Sequence, residues 1–546
     1  MNRPQRGDST LSATSTAPMP EASTRELRTS VAIVGGGPVG VGLAITLAQQ
    51  GIDVVLVEKY ATPQPVPKGQ NLTQRSAEHF RTWGIEGELY AARSMSATQQ
   101  STGMTAYGSL FSGYAYPWLQ RSSVAPYYSA TNLRLPQYST EAVLRERLAQ
   151  LPSAQTMYEW AATAVSQDAD HATVEIVSRT TSERAVIVAD YVVGADGNGS
   201  LVLEAAGITQ TRADHDRLMM LLVFRSKDFE EVMKQHPDAA FLNVMNPELD
   251  GYWQFFGRVD ASETWFFHCP VDPASTADTI ALRPILERAV GRPIDFDVQY
   301  LGFWELRFTL ADSYRAGRFF IAGDAAHGHP PYGGYGINSG FEDARNLGWK
   351  LTADIQGWAG PRLLDSYDAE RRPVFASTRD DFIEKSIFTD RDFLAAYDPA
   401  YDRGAFERAW QARQSSTDDE VDRFEPNYAG SPVIGGSGRP SAVGTHRFAA
   451  QPGHHLAPGM TAGGGEVFAA LGTGFTLLVA PGSTADGFGA VANELGVPLA
   501  IVRIDENSAR RYESDLVLVR PDQFVAWAGK VATVNVHAVL AVAIGA

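Results

Sequence analysis

The stretch from Ser30 to Lys59 constrains the fold more than any other part of this 546-residue chain. It reads as an apolar strand, a glycine-rich turn of the form GxGxxG, a helical segment that Gly51 ends, a second apolar strand, and then Glu58. A strand, turn, helix, strand and acid in this order predict a βαβ unit that binds a dinucleotide. The alternative is a turn that serves packing alone, which a bare GxGxxG would leave open.

Each residue type in this unit has a physical role in holding a nucleotide. The glycines allow a tight turn, a close approach of the backbone to a pyrophosphate and close packing of helix on strand. Glu58 is positioned to bind the 2′-hydroxyl of an adenosine ribose and would repel a 2′-phosphate, so FAD or NAD is expected rather than NADP. The candidate binding residues of this unit are Gly35, Gly37, Pro38, Val39, Gly40, Glu58 and Lys59.

A second unit of related design runs from Gly317 to Leu351. A short apolar strand precedes Asp324, a loop rich in glycine and proline follows, and a helical pattern begins near Asn338. Such a unit directs backbone N–H groups and the positive end of a helix dipole at an anion, while the acid accepts hydrogen bonds from ligand hydroxyls. Packing alone is again the alternative. The candidate binding residues are Gly323, Asp324, Pro331, Gly334, Gly336, Ile337 and Asn338.

Three further polar positions are candidates for contact with the same ligand. Lys68 follows the first βαβ unit, Gln137 precedes a predicted helix, and Asp196 is followed by glycine at the end of a predicted strand. A solvated helix start is an equally good interpretation of Lys68, and a simple turn is the commoner role of an isolated Asp-Gly pair. The chain has one GxGxxG with a following strand and acid, so a reduced nicotinamide, if used, must bind transiently.

Composition excludes several classes of partner and site. The net charge of −17 disfavours nucleic acid and anionic membranes, and Cys269, the only cysteine, excludes an intrachain disulfide and a cysteine-rich metal site. His327 and His329 lie beside prolines without a third ligand cluster, so we expect no metal. No run of about 18 apolar residues predicts a membrane span, and the first 27 residues have no signal-peptide core. A cytoplasmic protein is therefore expected.

Short β-like runs dominate the chain between Leu218 and Phe303. Their alternation predicts a sheet with one aromatic face, which suits a flat apolar ligand, although core packing also explains many of the rings. The candidate catalytic residues near this sheet and the second loop are Tyr252, His268, Arg307, Tyr335 and the backbone around Pro331, and no spacing selects among them.

Three separated motifs give the chain a family resemblance. The GxGxxG at Gly35, the Asp-Gly pair at Asp196 and the Gly-Asp pair at Gly323 with its proline- and glycine-rich loop resemble, in this order, those of the FAD-dependent aromatic hydroxylases. These are single-component flavoprotein monooxygenases that include phenol and polyketide hydroxylases. The final block resembles the thioredoxin-like domain that many of these proteins carry, including Leu518 to Asp522.

The resemblance implies an α/β fold with discontinuous domains. A Rossmann-type FAD-binding domain is interleaved with an α+β substrate domain, as in para-hydroxybenzoate hydroxylase, and a thioredoxin-like α/β domain follows. The expected division is a disordered leader at 1–27, an FAD-binding domain at 28–105, 130–210 and 303–412, a substrate-binding sheet at 106–129 and 211–302, a linker at 413–443 and the C-terminal domain at 444–546.

The resemblance also implies a reaction. Transient NAD(P)H would reduce FAD, and O2 would form a flavin C4a-hydroperoxide that hydroxylates an electron-rich, phenolic small-molecule substrate. A Baeyer–Villiger or epoxidising variant of the same fold and a non-catalytic FAD-fold binding protein are the alternatives. The GWxWxIP stretch of flavin halogenases is absent from the sequence. A homodimer is an open expectation.

Overall fold

The structure is a computed structural model that describes residues 25–95, 102–415, 419–530 and 534–546. Residues 1–24 of the expected leader lie outside this range, whereas Arg25 already begins a strand that pairs along its length with a second one. The strands are β1 (Arg25–Val34), β2 (Val54–Glu58), β3 (Asn71–Leu72), β4 (Thr102–Tyr107), β5 (Ala115–Trp118), β6 (Leu133–Arg134), β7 (Ala154–Tyr158), β8 (Trp160–Gln167), β9 (Ala172–Ser178), β10 (Arg184–Gly194), β11 (Gln210–Arg225), β12 (Ala239–Met245), β13 (Trp253–Arg258), β14 (Thr264–Val271), β15 (Asp297–Ala311), β16 (Arg315–Ala316), β17 (Phe319–Ile321), β18 (His327–Gly328), β19 (Phe424–Asn427), β20 (Ser441–Val443), β21 (Phe475–Val479), β22 (Leu499–Arg503), β23 (Leu516–Val519) and β24 (Val525–Gly529).

The helices connect these strands and cover the faces of the sheets. They are α1 (Pro38–Ala48), α2 (Gln74–Trp83), α3 (Glu86–Ala91), α4 (Gln137–Ala149), α5 (Leu201–Ala205), α6 (Lys227–Met233), α7 (Leu282–Val290), α8 (Tyr335–Ile355), α9 (Ser366–Ser377), α10 (Lys385–Ala396), α11 (Arg403–Ser415), α12 (Asp419–Arg423), α13 (Val467–Ala470), α14 (Phe488–Glu494), α15 (Glu506–Tyr512) and α16 (Val536–Ile544). A π-helical segment, Thr378–Glu384, joins α9 to α10.

The first sheet is the predicted nucleotide-binding unit. Its strands follow the order β16-β17-β10-β1-β2-β7, with β17, β10, β1, β2 and β7 parallel, and the hairpin of β8 and β9 extends β10. The carboxyl-terminal parts of β1 and β10 and most of β2 are apolar and buried, and they share one core with α1 and α8, as covered parallel sheets require. This order confirms the predicted Rossmann-type fold.

The second sheet is the predicted β-rich domain. Its order is β18-β15-β11-β14-β13-β12-β4-β5, antiparallel except where β12 pairs with β4. The β-like runs predicted between Leu218 and Phe303 correspond to β11 to β15, and β11 begins before that range and β15 ends after it. The added part of β11 is polar and lacks the alternation by which a strand is recognised, whereas the added part of β15, from Glu305 to Leu310, does alternate and was missed.

A mixed four-stranded sheet, β22-β21-β23-β24, forms the C-terminal unit and agrees with the predicted thioredoxin-like domain. Trp349 and Trp358, at the end of α8 and just after it, are buried against Phe475 of this sheet, with ring centroids 5.8 Å and 6.2 Å away. The unit is therefore packed directly on the helix whose other end begins at the predicted anion-facing loop.

The structure corrects three of the expected domain boundaries. Residues 303–311 continue β15 in the second sheet instead of joining the first, and β4 brings residues 102–105 into the second sheet. The expected linker at 413–443 contains β19 and β20 and buries Tyr428 and Val433 completely. Its glycines and prolines make tight turns in a packed segment, a use that composition alone does not separate from a linker.

Across the part of the chain that the structure describes, no helix combines the length and apolar character needed to cross a membrane. Within the same ranges, no cluster of three or more His, Cys, Asp or Glu side chains is arranged to hold a metal ion.

Candidate functional site

The carboxyl ends of four parallel strands meet at one edge of the first sheet. Val34 of β1 is in register with Val57 of β2 and with Gly194 of β10, and Gly194 is in register with Ile321 of β17. The GxGxxG turn, Glu58, Asp196 and Asp324 each follow one of these strands. Register therefore brings together motifs that are hundreds of residues apart in the sequence, at the edge where α/β sheets bind ligands.

The glycines of the turn differ in what surrounds them. Gly35 has φ +110°, and a Cβ atom there would lie 2.2 Å from the backbone oxygen of Ala195. A Cβ on Gly40 would lie 2.0 Å from the oxygen of Gly35, so Gly40 packs beneath the turn. Gly37, by contrast, caps α1 and has open space where a Cβ would project. The bare N-terminus of α1 is thus accessible to an anion.

Glu58 closes one side of this turn. Its Oε2 accepts a hydrogen bond from Gly36 N at 2.7 Å, and its Oε1 accepts one from Tyr60 N at 2.9 Å. Arg145 of α4 donates to the oxygen of Gly36 at 3.3 Å. The acid is therefore held at the end of β2, where the predicted hydrogen bond to a ribose hydroxyl requires it.

The loop after β17 is fixed from beneath by a buried ionic cluster. Asp343 of α8 accepts hydrogen bonds from Gly323 N at 2.9 Å and from Arg371 Nε at 2.7 Å, and His327 Nε2 lies 2.6 Å from its Oδ2. Burial alone would raise the pKa of Asp343, but His327 and Arg371 outweigh burial and lower it. The carboxylate therefore stays ionised and ties the Gly-Asp turn to α8.

The same loop ends at the N-terminus of α8, which begins at Tyr335 and not near Asn338. Gly333 and Gly334 have φ +64° and +71°, which leaves the first N–H groups of this 21-residue helix facing the cavity without a side-chain cap. Asn338 does not line the cavity. Its amide nitrogen donates to Asn71 O at 2.8 Å and to Gly334 O at 2.6 Å, so it positions the loop.

Two acids reach the cavity from the strand ends. Asp196 Oδ2 accepts a hydrogen bond from Leu201 N at 2.8 Å, while its buried Oδ1 has no partner among the described residues. The Asp324 side chain also lines the cavity. Burial raises the pKa of both carboxyl groups, which indicates acceptors in a poorly hydrated position.

One continuous cavity of about 940 Å³ joins this edge to the second sheet. The residues predicted to bind the nucleotide that line it are Gly35, Gly37, Pro38, Val39, Glu58, Lys59, Lys68, Gln137, Asp196, Gly323, Asp324, Pro331, Gly334, Gly336 and Ile337. Of the residues predicted for catalysis, His268 and Pro331 line it. The two sheets thus contribute to a single site.

An aromatic wall forms the second-sheet side of the cavity. Neighbouring rings lie 5.4–6.3 Å apart between centroids, and the wall consists of Trp118, Phe241, Phe255, Phe266, His268 and Trp304. Sequence reasoning had predicted an aromatic face without saying which rings belong to it. Strand pairing decides this: Phe255 faces the cavity, whereas Phe256 packs on Phe229 and Phe267 in the core.

Two neutral imidazoles face the cavity. Burial lowers the pKa of His268 and of His329 to about 4, so both rings are uncharged at neutral pH. His329 Nδ1 lies 2.6 Å from the oxygen of Pro330 and donates to it, which leaves Nε2 as an acceptor without a partner among the described residues. His268 Nδ1 likewise has no partner there.

Three predicted catalytic residues lie elsewhere, and the structure corrects them. The Tyr252 hydroxyl and His215 Nδ1 share a hydrogen bond of 2.8 Å, and the exposed Arg307 forms an ion pair with Asp214. The ring of Tyr335 points away from the cavity, packs on Phe424 and donates its hydroxyl to Glu420 at 2.8 Å. Each of the three was predicted from the chemistry of its side chain. The prediction failed because the direction in which a strand or helix projects a side chain depends on register, which the side chain's chemistry does not reveal.

Sequence reasoning missed several cavity residues, of which Arg134 is the most notable because it is a buried cation. It lies three residues before Gln137, which was identified. A charged residue inside the apolar run Leu133 to Leu135 was the available signal, since charged residues are seldom buried without a reason.

The described residues fit a bound FAD. The open space over Gly37, the two uncapped helix N-termini, the acid after β2 and the unpaired Asp196 Oδ1 supply sites for a pyrophosphate, a ribose and further hydroxyl groups.

Comparison with known proteins agrees with this geometry. The chain matches the FAD binding domain family over residues 28–381 and the family described as aromatic-ring hydroxylase, C-terminal, over residues 450–546. A 4-methyl-5-nitrocatechol 5-monooxygenase of Burkholderia sp. is 29% identical over 92% of this chain and 94% of its own. A putative polyketide hydroxylase of Streptomyces halstedii is 35% identical over 64% of each chain.

Solved structures extend the likeness to the whole fold. The rebeccamycin biosynthetic enzyme RebC, solved with reduced flavin, is 27% identical, with a TM-score of 0.81 over 96% of this chain and 100% of its own. These matches confirm the predicted fold, cofactor and enzyme class, and they leave no support for a non-catalytic binding protein. The chain belongs to the FAD-binding family of flavoprotein aromatic-ring hydroxylases.

Proposed function

We propose that this enzyme hydroxylates a flat, electron-rich, phenolic ring system larger than phenol itself. One observation carries the proposal: the nucleotide-binding edge and the aromatic wall line the same continuous cavity. Apolar pockets with a few placed polar groups are the usual sites for such ligands. The wall extends from Trp118 to Trp304, which gives it room for fused rings.

FAD, when bound, supplies the redox chemistry by which NAD(P)H and O2 are used. The protein's own residues bind and orient. The N-terminus of α1 at Gly37 receives the pyrophosphate, Glu58 receives the adenosine ribose, and Asp324 receives hydroxyl groups. The uncapped N-terminus of α8 adds positive potential at the cavity, where it stabilises negative charge.

The reactive hydroxyl of the substrate forms a hydrogen bond with a side chain of the aromatic wall. His268 is neutral and lines the cavity, so its imidazole is suited to accept a hydrogen bond from a phenol and increase the electron density of the ring. His329, which is also neutral, lines the loop side of the cavity. The rings on either side of His268, those of Phe266 and Trp304, limit the entry of water.

The cellular setting belongs to the same proposal. We place the enzyme in the cytoplasm, where NAD(P)H is available and where a single buried cysteine is not exposed to disulfide chemistry. A homodimer remains our expectation for its assembly.

The test combines flavin content with turnover. Purified protein should carry FAD, and phenol, 2-naphthol and a hydroxyanthraquinone should stimulate NADPH or NADH oxidation in that rising order. Mass spectrometry under ¹⁸O2 should find one labelled oxygen in the product. Protein that carries no flavin, or flavin-bound protein that labels no member of the series, would contradict the proposal. Stimulation that falls with ring number would contradict the expected substrate size.

A further inference from the structure

Arg134 is a buried cation, and the described part of the chain supplies it with no counter-ion. It is 2% exposed, lies on β6 and lines the cavity. Among the residues that the structure describes, no carboxylate lies near its guanidinium and no group accepts a hydrogen bond from its Nε. Burial and the like charge of Arg258 lower its pKa, with no opposing group. An arginine nevertheless remains a cation at neutral pH.

Each of the other buried arginines and lysines that the structure describes donates at least one hydrogen bond. Arg258, 1% exposed on the opposite face of the second sheet, donates to Glu230 at 2.6 Å, and Arg371 donates to Asp343 at 2.7 Å. An isolated buried charge costs several kcal/mol unless a partner compensates it. Arg134 therefore lacks, among the described residues, a partner that its position requires.

The guanidinium is held against the aromatic wall. Its Cζ lies 5.3 Å from the centroid of the Phe241 ring, and a Cβ on Gly257 would lie 2.8 Å from its Nη2 and 2.1 Å from the ring of Phe266. The absence of a side chain at Gly257 thus makes room for both groups. Arg134 lies on the small β3–β6 sheet, and its guanidinium contacts the aromatic wall of the second sheet.

We infer that Arg134 is an anion-binding subsite that takes a carboxylate of the aromatic substrate. The inference rests on the proposed function and narrows the substrate class to acidic phenols, such as hydroxylated aromatic carboxylic acids. A planar guanidinium binds a carboxylate through two parallel hydrogen bonds, and apolar rings around the pair strengthen it. The acid group would lie at Arg134 while the flat rings of the substrate lie along the wall.

The test compares an acid with its uncharged isostere. In the flavin-loaded enzyme, calorimetry should find that 6-hydroxy-2-naphthoate binds at least about 10-fold more tightly than 6-hydroxy-2-naphthamide, the scale of a hydrogen bond to a charged group. Arg134→Met should remove this preference and leave binding of the amide within about twofold. Arg134→Lys should retain part of it. The matched control is Arg258→Met, a buried arginine outside the cavity, which should retain the preference.

Three results would overturn the inference. The first is a wild-type enzyme that binds the acid no more tightly than the amide, including one that binds neither. The second is a preference that survives in Arg134→Met, and the third is loss of flavin from Arg134→Met, which would assign the cation to the cofactor. Binding does not depend on turnover. An enzyme that prefers the acid but hydroxylates no phenol would contradict the proposed function and leave this subsite in place.

Discussion

Gly323 and Asp343 are joined by a hydrogen bond of 2.9 Å, from the backbone N–H at the end of β17 to Oδ2 of an acid on α8. Asp343 is completely buried and also pairs with His327 and Arg371. The turn that presents Asp324 to the cavity is therefore fixed by a side chain that does not touch the cavity itself. We expect the position of this turn, and with it flavin affinity, to depend on Asp343.

Asp343→Asn should destabilise the protein and weaken flavin binding. The amide leaves Arg371 without its carboxylate, and breaking a buried pair costs about 3–5 kcal/mol. Urea unfolding and flavin fluorescence titration measure the two effects. Asp354→Asn, at the far end of the same helix, is the control and should retain flavin affinity.

The contribution of Asp343 to stability should depend on pH. Because the pKa of Asp343 is lowered in the folded state, the free energy that its carboxylate adds to folding is fully present above the unfolded pKa of about 3.9 and is lost as pH falls below it. The two proteins should therefore converge in stability below about pH 4.

Gly37→Ala should abolish flavin binding and leave the fold intact. A Cβ at this position meets no protein atom within 4 Å and the backbone has φ −74°, so the protein tolerates the methyl group. The methyl group would occupy the space into which the pyrophosphate fits. Absorbance of the purified protein and thermal unfolding of the flavin-free protein measure the outcome, with Gly87→Ala, also unobstructed, as the control. A variant that retains full flavin occupancy would show that the ligand lies elsewhere.

His268→Phe should reduce hydroxylation about 10-fold or more while flavin content stays the same, because one hydrogen bond to the phenol is lost. Steady-state kcat with a phenolic substrate is the measurement, with absorbance for bound flavin. His215→Gln, which changes the partner of Tyr252 outside the cavity, is the control and should leave kcat within about twofold. Equal loss in both variants would remove His268 from the site.

Glu370→Gln should loosen the C-terminal unit. The buried carboxylate accepts hydrogen bonds from Lys350 at 2.7 Å and from Arg520 at 2.6 Å and 2.9 Å. Its removal leaves the buried Lys350 without this carboxylate and Arg520 with Asp522 alone, at a cost of about 3–5 kcal/mol. Urea unfolding and proteolysis of the 444–546 segment measure this loss of stability. Glu466→Gln breaks the exposed pair with Arg81 and should cost less than about 1 kcal/mol. Equal effects of the two substitutions would contradict the expected role of the buried cluster.

Tyr335→Phe should change stability and not catalysis. The ring follows the cavity loop in sequence, yet its hydroxyl donates to Glu420 and its face packs on Phe424, away from the cavity. Loss of one buried hydrogen bond costs about 1 kcal/mol. The ratio of product formed to NAD(P)H consumed should equal that of the unchanged protein, measured by chromatography against nicotinamide absorbance. A change in that ratio would place the ring in contact with the substrate.

The sequence by itself determined the nucleotide-binding unit, because its turn, helix and acid follow one another along the chain and each carries a local signal. Gly35, Glu58, Asp196 and Asp324 were identified for this reason, as were most strands of the second sheet and of the C-terminal unit. Local signals also located His268 within an aromatic strand, without showing that it faces the cavity.

Only the tertiary structure decided which side chains share the cavity. Strand register turns Phe255 toward the cavity and Phe256 away, and the packing of α8 turns Tyr335 toward Glu420. Arg134 meets Gly257 and Phe241 although it precedes them by more than a hundred residues in sequence. Because the direction of a side chain depends on pairing between distant segments, and a buried charge is recognised by what lies near it in space, no local pattern contains this information.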